Sequence, residues 1–165
     1  ARSMRNTLGG LLEALHPAAL DELGLYGALD RGPIRAMMED AGIEFTVELV
    51  GEARLLEQLD EMMRVAIYRV VQEAATNVVR HARAGRCRVR MRLGRRSGQL
   101  WLFLDVRDDG RGFPVPLRRG QGLQGMQDRF RTLGGHLRLS SGGSGMRLHG
   151  LLRLPLGAEP DGYQP

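Results

Sequence analysis

The chain has 165 residues, 42% of them apolar, and a formal charge of +5. That is long enough for one domain with a core and too apolar for a disordered chain, while no apolar run approaches the ~20 residues that span a bilayer. All 24 positive residues are arginines, which excludes a Walker P-loop and a Schiff-base enzyme, since both need a lysine.

The chain starts at Ala1 and leads into no secretory h-region, so it reads as an excised fragment without a signal peptide. Met4, Leu8, Leu11, Leu12 and Leu15 recur at helical spacing and predict a helix over residues 3–16. His16-Pro17 ends or kinks it. Residues 19–38 continue as helix, with a break at Gly32-Pro33, punctuation at Gly24-Leu25, and Asp21 as a candidate cap. Phe45, Val47 and Leu49 alternate with polar residues and predict a short strand.

The clearest helix is predicted over 55–82, where apolar residues from Leu59 to Val78 keep a helical period. Ala84-Gly85 closes it. Cys87, Val89, Met91 and Leu93 then alternate with Arg86, Arg88, Arg90 and Arg92, a half-buried strand with a basic outer face. Arg95–Gly98 is a turn, and Leu100 to Val106 form the antiparallel partner strand. Residues 107–122 are polar and rich in Gly and Pro. A helix over 123–133 follows, ended by Gly134-Gly135. Two last strands begin at Leu137 and Leu148, with a Gly-Ser turn over 141–145, and residues 157–165 read as a disordered tail. The element order favours an α+β two-layer sandwich, a mixed sheet covered on one face by helices.

Charge is uneven along this order. Residues 1–79 hold 7 Arg against 13 acids, and residues 80–154 hold 17 Arg against 4. A basic half points to a phosphorylated ligand, an acidic protein or nucleic acid. Low aromatic content, 5%, speaks against a single-strand nucleic-acid platform. Cys87 is the sole cysteine, and the four histidines lack metal-ligand spacing, so side chains alone build no zinc cluster.

Three polar residues sit where core is expected. With Glu73 set at 0°, the apolar stripe of its helix spans roughly 60° to 140°, Asn77 falls at about 40° and His81 at about 80°. Burial of such groups requires partners. Glu73 and Asn77 supply hard oxygens suited to magnesium, and Arg80 and His81 suit phosphates. Solvation at an emerging helix end is the alternative reading of the same pattern. Further on, an apolar strand runs into Asp108-Asp109-Gly110-Arg111-Gly112. Glycine lets a ligand approach the backbone there, and Asp108 is placed to accept from an exocyclic amine; a plain Asp-Gly turn is the alternative. Gly120–Gly125 spells G-x-G-x-x-G, but no apolar strand precedes it, so a dinucleotide fold is excluded. What remains is a glycine loop opening a helix, a site for anions.

In this order the pieces resemble histidine-kinase-type ATPases, over about residues 16–156. Glu73, Asn77, Arg80 and His81 resemble the N box, and Asp108, Gly110 and Gly112 the G1 box. Gly120, Gly122, Leu123, Gly125 and Met126, with Arg129, resemble the G2 box, and Ser141–Gly145 the segment before the last strand. Leu15–Leu25 with Ala28-Leu29 resembles the linker of nitrate-sensor-like sensor kinases, whose ATP lid is as short as the stretch between Phe113 and Gly120.

The resemblance implies a Bergerat-type fold binding ATP and Mg²⁺. Asp108 would bind the adenine amine and Asn77 the metal. Glu73, the candidate catalytic residue, would hold a metal-bound water without being assigned as general base. Arg80 and His81 would contact phosphates, and Gly110, Gly112, Gly122, Leu123, Gly125 and Met126 would wrap the nucleotide. It also implies three parts. Residues 1–30 are the end of a dimerisation helix and linker, 31–156 the ATP-binding catalytic domain, and 157–165 the tail.

The implied activity is a protein histidine kinase. It supplies the γ-phosphate to a histidine of its own dimerisation domain in a homodimer, for relay to a response regulator. The basic strand 86–92 is a candidate docking face for that regulator, with no direct nucleic-acid role. The setting is a cytoplasmic domain of a protein anchored in the inner membrane. Neither the phosphoacceptor nor the base activating it is in the sequence, so the domain alone is expected not to autophosphorylate. Two departures stand out: Gly142 where the family has Pro, and Met146 where it has Thr, which removes a hydroxyl contact to phosphate. A gyrase- or chaperone-like ATPase and an anti-sigma-factor kinase are the alternatives.

Overall fold

A computed structural model describes residues 17–112 and 121–155. The predicted helix over 3–16, the short lid from 113 to Gly120 and the tail 157–165 lie outside the described residues.

Among these residues the elements are α1 (Ala18–Arg31), α2 (Pro33–Asp40), β1 (Glu44–Val50), α3 (Arg54–Glu57) and α4 (Glu61–Asn77). A π-helical turn (Val78–Ala82) continues α4. Then come β2 (Arg86–Arg96), β3 (Gln99–Asp108), α5 (Gln121–Thr132), β4 (His136–Gly142) and β5 (Gly145–Leu154). The sheet order is β1-β2-β3-β5-β4. β1 runs parallel to β2 and every other pair is antiparallel, so the sheet is mixed, as the sequence predicts.

Period-two alternation decides which face of the sheet is covered. Along β2, Cys87, Val89, Met91 and Leu93 are buried while the intervening arginines are exposed. β3 and β5 repeat the pattern with Leu102, Leu104, Leu148 and Leu152. This apolar face joins Ile67, Val70, Val71 and Ala74 of α4 and Met126 and Phe130 of α5 in one core. Fit is close. A methyl group added to Gly150 would lie 2.5 Å from Phe130 Cε1, so the ring rests on the bare backbone of β5. Loss of one large side chain there would cost about 3–5 kcal/mol.

α1 belongs to the same core through Leu20, Leu25, Ala28 and Leu29. It kinks at Gly24, whose φ of 66° needs glycine, matching the predicted punctuation. Asp21 does not cap it. The cap position is Pro17, and Asp21 lies in the first turn, where a carboxylate favours the positive end of the helix dipole. Two side chains from this layer cover the outer edge of β1: Tyr26 donates to the Val47 carbonyl at 3.4 Å and Arg35 to the Phe45 carbonyl at 3.0 Å. Such cover blunts an edge that would otherwise pair with another chain.

The predicted helix over 55–82 is three pieces. It breaks at residues 58–60 because Asp60 takes an extended conformation and accepts from the Met63 N–H at 2.8 Å, capping α4. At its other end the chain widens into the π turn and stops at Arg83, which itself adopts the left-handed conformation (φ 51°, ψ 42°) that Ala84-Gly85 was expected to supply.

Candidate functional site

The site is built where the end of α4 meets the end of β3. Asp108 is the last residue of β3 and is 2% exposed, the one buried charged side chain among the described residues. Alternation aims it at the covered face, and there it finds partners. Oδ1 accepts from the Gly110 N–H at 2.8 Å and Oδ2 from the Met146 N–H at 3.2 Å. Burial pushes its pKa above the ordinary aspartate range, and these two N–H groups pull it partly back. A carboxylate offers about four lone-pair positions. Those left over can accept from an amine.

The loop after Asp108 is stitched to its surroundings. Asp109 Oδ1 accepts from the Gly85 and Arg86 N–H groups, at 2.8 Å each, and fixes the start of β2. The Arg111 N–H donates to the Ala82 carbonyl at 2.8 Å, and Arg111 Nε to the His81 carbonyl at 2.9 Å. The loop thus lies against the π turn. Contact is tight enough that a methyl group on Gly110 would sit 2.3 Å from the Ala82 oxygen. A methyl group on Gly112 would sit as near the Gly142 carbonyl oxygen, which brings the β4–β5 turn to the same corner.

Glu73 and Asn77 are partly buried and four residues apart, hence on one face of α4. Gly122, in the first turn of α5, is the residue opposite: a methyl group there would lie 2.1 Å from Glu73 Oε1. Leu123 and Gly125 are partly buried on the same helix. The structure therefore brings Glu73 to Gly122, and Asp108 to Gly110 and Met146.

Three expectations change. His81 was placed within the apolar stripe, yet it is exposed, as is Arg80. The reason is the π turn: its i→i+5 pattern advances each residue through less angle than an α-helix and swings His81 off the stripe. Met126 is 2% exposed and packed in the core, so its side chain builds the wall behind the site and has no open surface. Met146, noted only for its missing hydroxyl, serves through its backbone. Its side chain is 3% exposed, and its N–H holds Asp108. Gly145 makes this approach possible, with φ 108° and no room for a Cβ, which would lie 2.1 Å from the Asp108 carbonyl oxygen. No local pattern signals a contact across 38 residues.

Among the described residues no cluster of three His, Cys, Asp or Glu side chains is placed to hold a metal. Glu73 and Asn77 together offer two hard oxygen donors. That set suits Mg²⁺ only when phosphate and water complete its shell.

The family model described as "Histidine kinase-, DNA gyrase B-, and HSP90-like ATPase" matches residues 62–157. The chain is 37% identical over 133 residues to the signal transduction histidine-protein kinase/phosphatase UhpB of Salmonella typhimurium, covering 79% of the chain and 25% of that protein. It is 33% identical over 143 residues to the sensor histidine kinase MctS of Rhizobium johnstonii, covering 84% of the chain and 29% of that protein. The chain thus spans between a quarter and a third of the length of these relatives. The histidine kinase domain of the Erythrobacter litoralis EL346 blue-light activated histidine kinase has the same fold. Its TM-score is 0.59 at 23% identity, over 83% of this chain and 69% of that one.

Proposed function

Because the chain belongs to the histidine kinase-, DNA gyrase B- and HSP90-like ATPase family, we propose that it binds Mg²⁺–ATP and supplies the γ-phosphate for phosphorylation of a histidine. That histidine would lie in a dimerisation domain of the same protein, and the phosphoryl group would pass on to a response regulator. The observation that carries the reading is Asp108. It is a buried carboxylate at a strand end, held by two backbone N–H groups and beside a loop stitched to the Glu73–Asn77 helix.

Each residue has a task in this reading. Asp108 accepts the adenine amine with its remaining lone pairs. Asn77 and Glu73 present oxygens to the metal and its bound water from one face of α4. Bound Mg²⁺ neutralises charge that develops on the transferred phosphoryl group. Arg80 and His81, exposed at the rim, meet the phosphates. Gly110, Gly112, Gly122 and Gly125 keep the backbone bare along the path of the nucleotide, with Leu123 beside them and Met126 as packing behind.

Kinase function is favoured over free ATP hydrolysis by the kinase relatives and by the Leu15–Leu29 linker, which resembles the nitrate-sensor-like subfamily. Residues 1–17 then join the dimerisation helices to a catalytic domain that begins with α1, earlier than the expected boundary at residue 31, because Leu20, Leu25, Ala28 and Leu29 lie in its core. No described helix is long and apolar enough to cross a membrane; anchoring would come from other parts of the protein. The test is turnover. Labelled ATP incubated with this chain should bind without steady release of phosphate. Sustained hydrolysis would overturn the kinase reading in favour of the gyrase-like one.

A further inference from the structure

Among the described residues nothing covers the face of the sheet away from the helices, and that face is strongly basic. Five arginines on β2 (Arg86, Arg88, Arg90, Arg92 and Arg96), one on β3, one on β4 and two on β5 point outward, against the acids Glu44, Glu48 and Asp105. Strand register puts Arg88, Arg107 and Arg147 directly across from one another in one row. Like charges opposite each other in a sheet destabilise it, so this row is a cost the fold does not itself require. The acids answer part of the charge. Glu48 lies 3.5 Å from both Arg88 and Arg90, and Asp105 lies 2.9 Å from Arg147 and from His149. Arg92, Arg107, Arg138 and Arg153 have no ion pair among the described residues.

Charge is only half of the surface. Trp101, Phe103 and Leu151 stand on the same face, partly exposed, and the Arg92 guanidinium lies 4.8 Å over the Phe103 ring. Two shallow cavities, of about 410 and 550 Å³, adjoin here and share Phe103 and Leu151. Arginine set among exposed aromatics is the composition of protein-binding hot spots. Glu48 and Asp105 interrupt the basic field that a continuous polyphosphate backbone would follow, whereas a protein partner can set separate carboxylates over the unpaired arginines and neutral or basic groups over these acids.

We propose that this open sheet face docks an acidic protein partner, whose carboxylates meet Arg92, Arg138 and Arg153 and whose apolar side chain enters the groove at Trp101, Phe103 and Leu151. The surface is opposite the nucleotide site and does not depend on the kinase reading, so it is tested without nucleotide.

Trp101 is the chain's single tryptophan, and its fluorescence reports on this face alone. The probe is a synthetic glutamate-rich peptide carrying one phenylalanine, titrated into the full chain at low and moderate salt. Trp101 emission should change saturably, and the affinity should fall as salt rises. The Arg92→Glu/Arg138→Glu variant should bind at least about tenfold more weakly. Arg54→Glu/Arg131→Glu makes the same charge change on helices away from the face, at exposed positions, and should bind as the parent does. Thermal unfolding of both variants checks that they fold, and Arg153→Glu repeats the test at a second position. Equal weakening by the two double variants, or an unmoved Trp101 signal, would overturn the proposal. So would tighter binding of duplex DNA or of anionic phosphatidylglycerol vesicles than of the peptide at the same salt.

Discussion

The carboxylate of Asp108 accepts a hydrogen bond from the backbone N–H of Met146 at 3.2 Å, tying the end of β3 to the start of β5. With the Gly110 N–H on its other oxygen, at 2.8 Å, this is what lets a carboxylate persist at 2% exposure. The proposed adenine contact would use the lone pairs these bonds leave over, so structure and recognition would rest on one side chain.

Asp108→Ala would leave both N–H groups buried without an acceptor. We expect a loss of about 1–3 kcal/mol in urea unfolding, together with loss of the preference for ATP over GTP in competition binding. Asp108→Asn keeps one acceptor and turns an amide N–H toward the other donor, so it should fall between parent and Ala in stability.

The raised pKa of Asp108 carries a pH signature. Its folded value lies above its unfolded value, so between the two the folded chain holds more protons and stability falls as pH rises. The advantage is full below the ordinary aspartate range and is lost as pH climbs through the raised value. Denaturant unfolding across the acidic range should show the stability of the parent, relative to Asp108→Asn, decreasing with pH. An increase would contradict the burial argument.

Cys87 lies beneath the same corner. Burial pushes its thiol up to about 12, with Asp108 and Asp109 adding to the shift. The thiolate is the reactive form, so iodoacetamide at mildly alkaline pH should leave the folded chain unlabelled and label it rapidly in urea. Rapid native labelling would mean that this corner opens.

Two glycines should respond differently to a methyl group. At Gly110 it would meet the Ala82 carbonyl at 2.3 Å, backbone against backbone, and Gly110→Ala should lose about 1–3 kcal/mol of stability. At Gly122 it would meet the mobile end of Glu73 at 2.1 Å, which can turn away. Gly122→Ala should therefore unfold close to the parent in urea while its Mg²⁺–ATP affinity drops.

Much of this was legible in the strands, whose alternation is unbroken. Cys87 to Leu93 and Leu100 to Val106 predict β2, β3 and the covered face, and the structure extends them by a few residues. Glu73 and Asn77 were legible because i,i+4 spacing holds in any α-helix. His81 was misplaced because nothing in its neighbours marks a π turn, and a small change in residues per turn accumulates. The break at Asp60 was hidden by Leu55, Leu56, Leu59 and Met63, whose apolar period runs through the cap. Gly145 and Met146 were illegible as partners of Asp108 for a different reason: their contact is made by the return of β5 alongside β3, which no local pattern encodes.

The central claim is that Asp108, Asn77 and Glu73 form a nucleotide site, and calorimetric titration of this chain with ADP and Mg²⁺ tests it most directly. We predict saturable binding at one site that requires Mg²⁺ and is abolished by Asn77→Ala, with unchanged thermal unfolding of that variant. Absence of measurable binding by the folded parent chain would contradict the account.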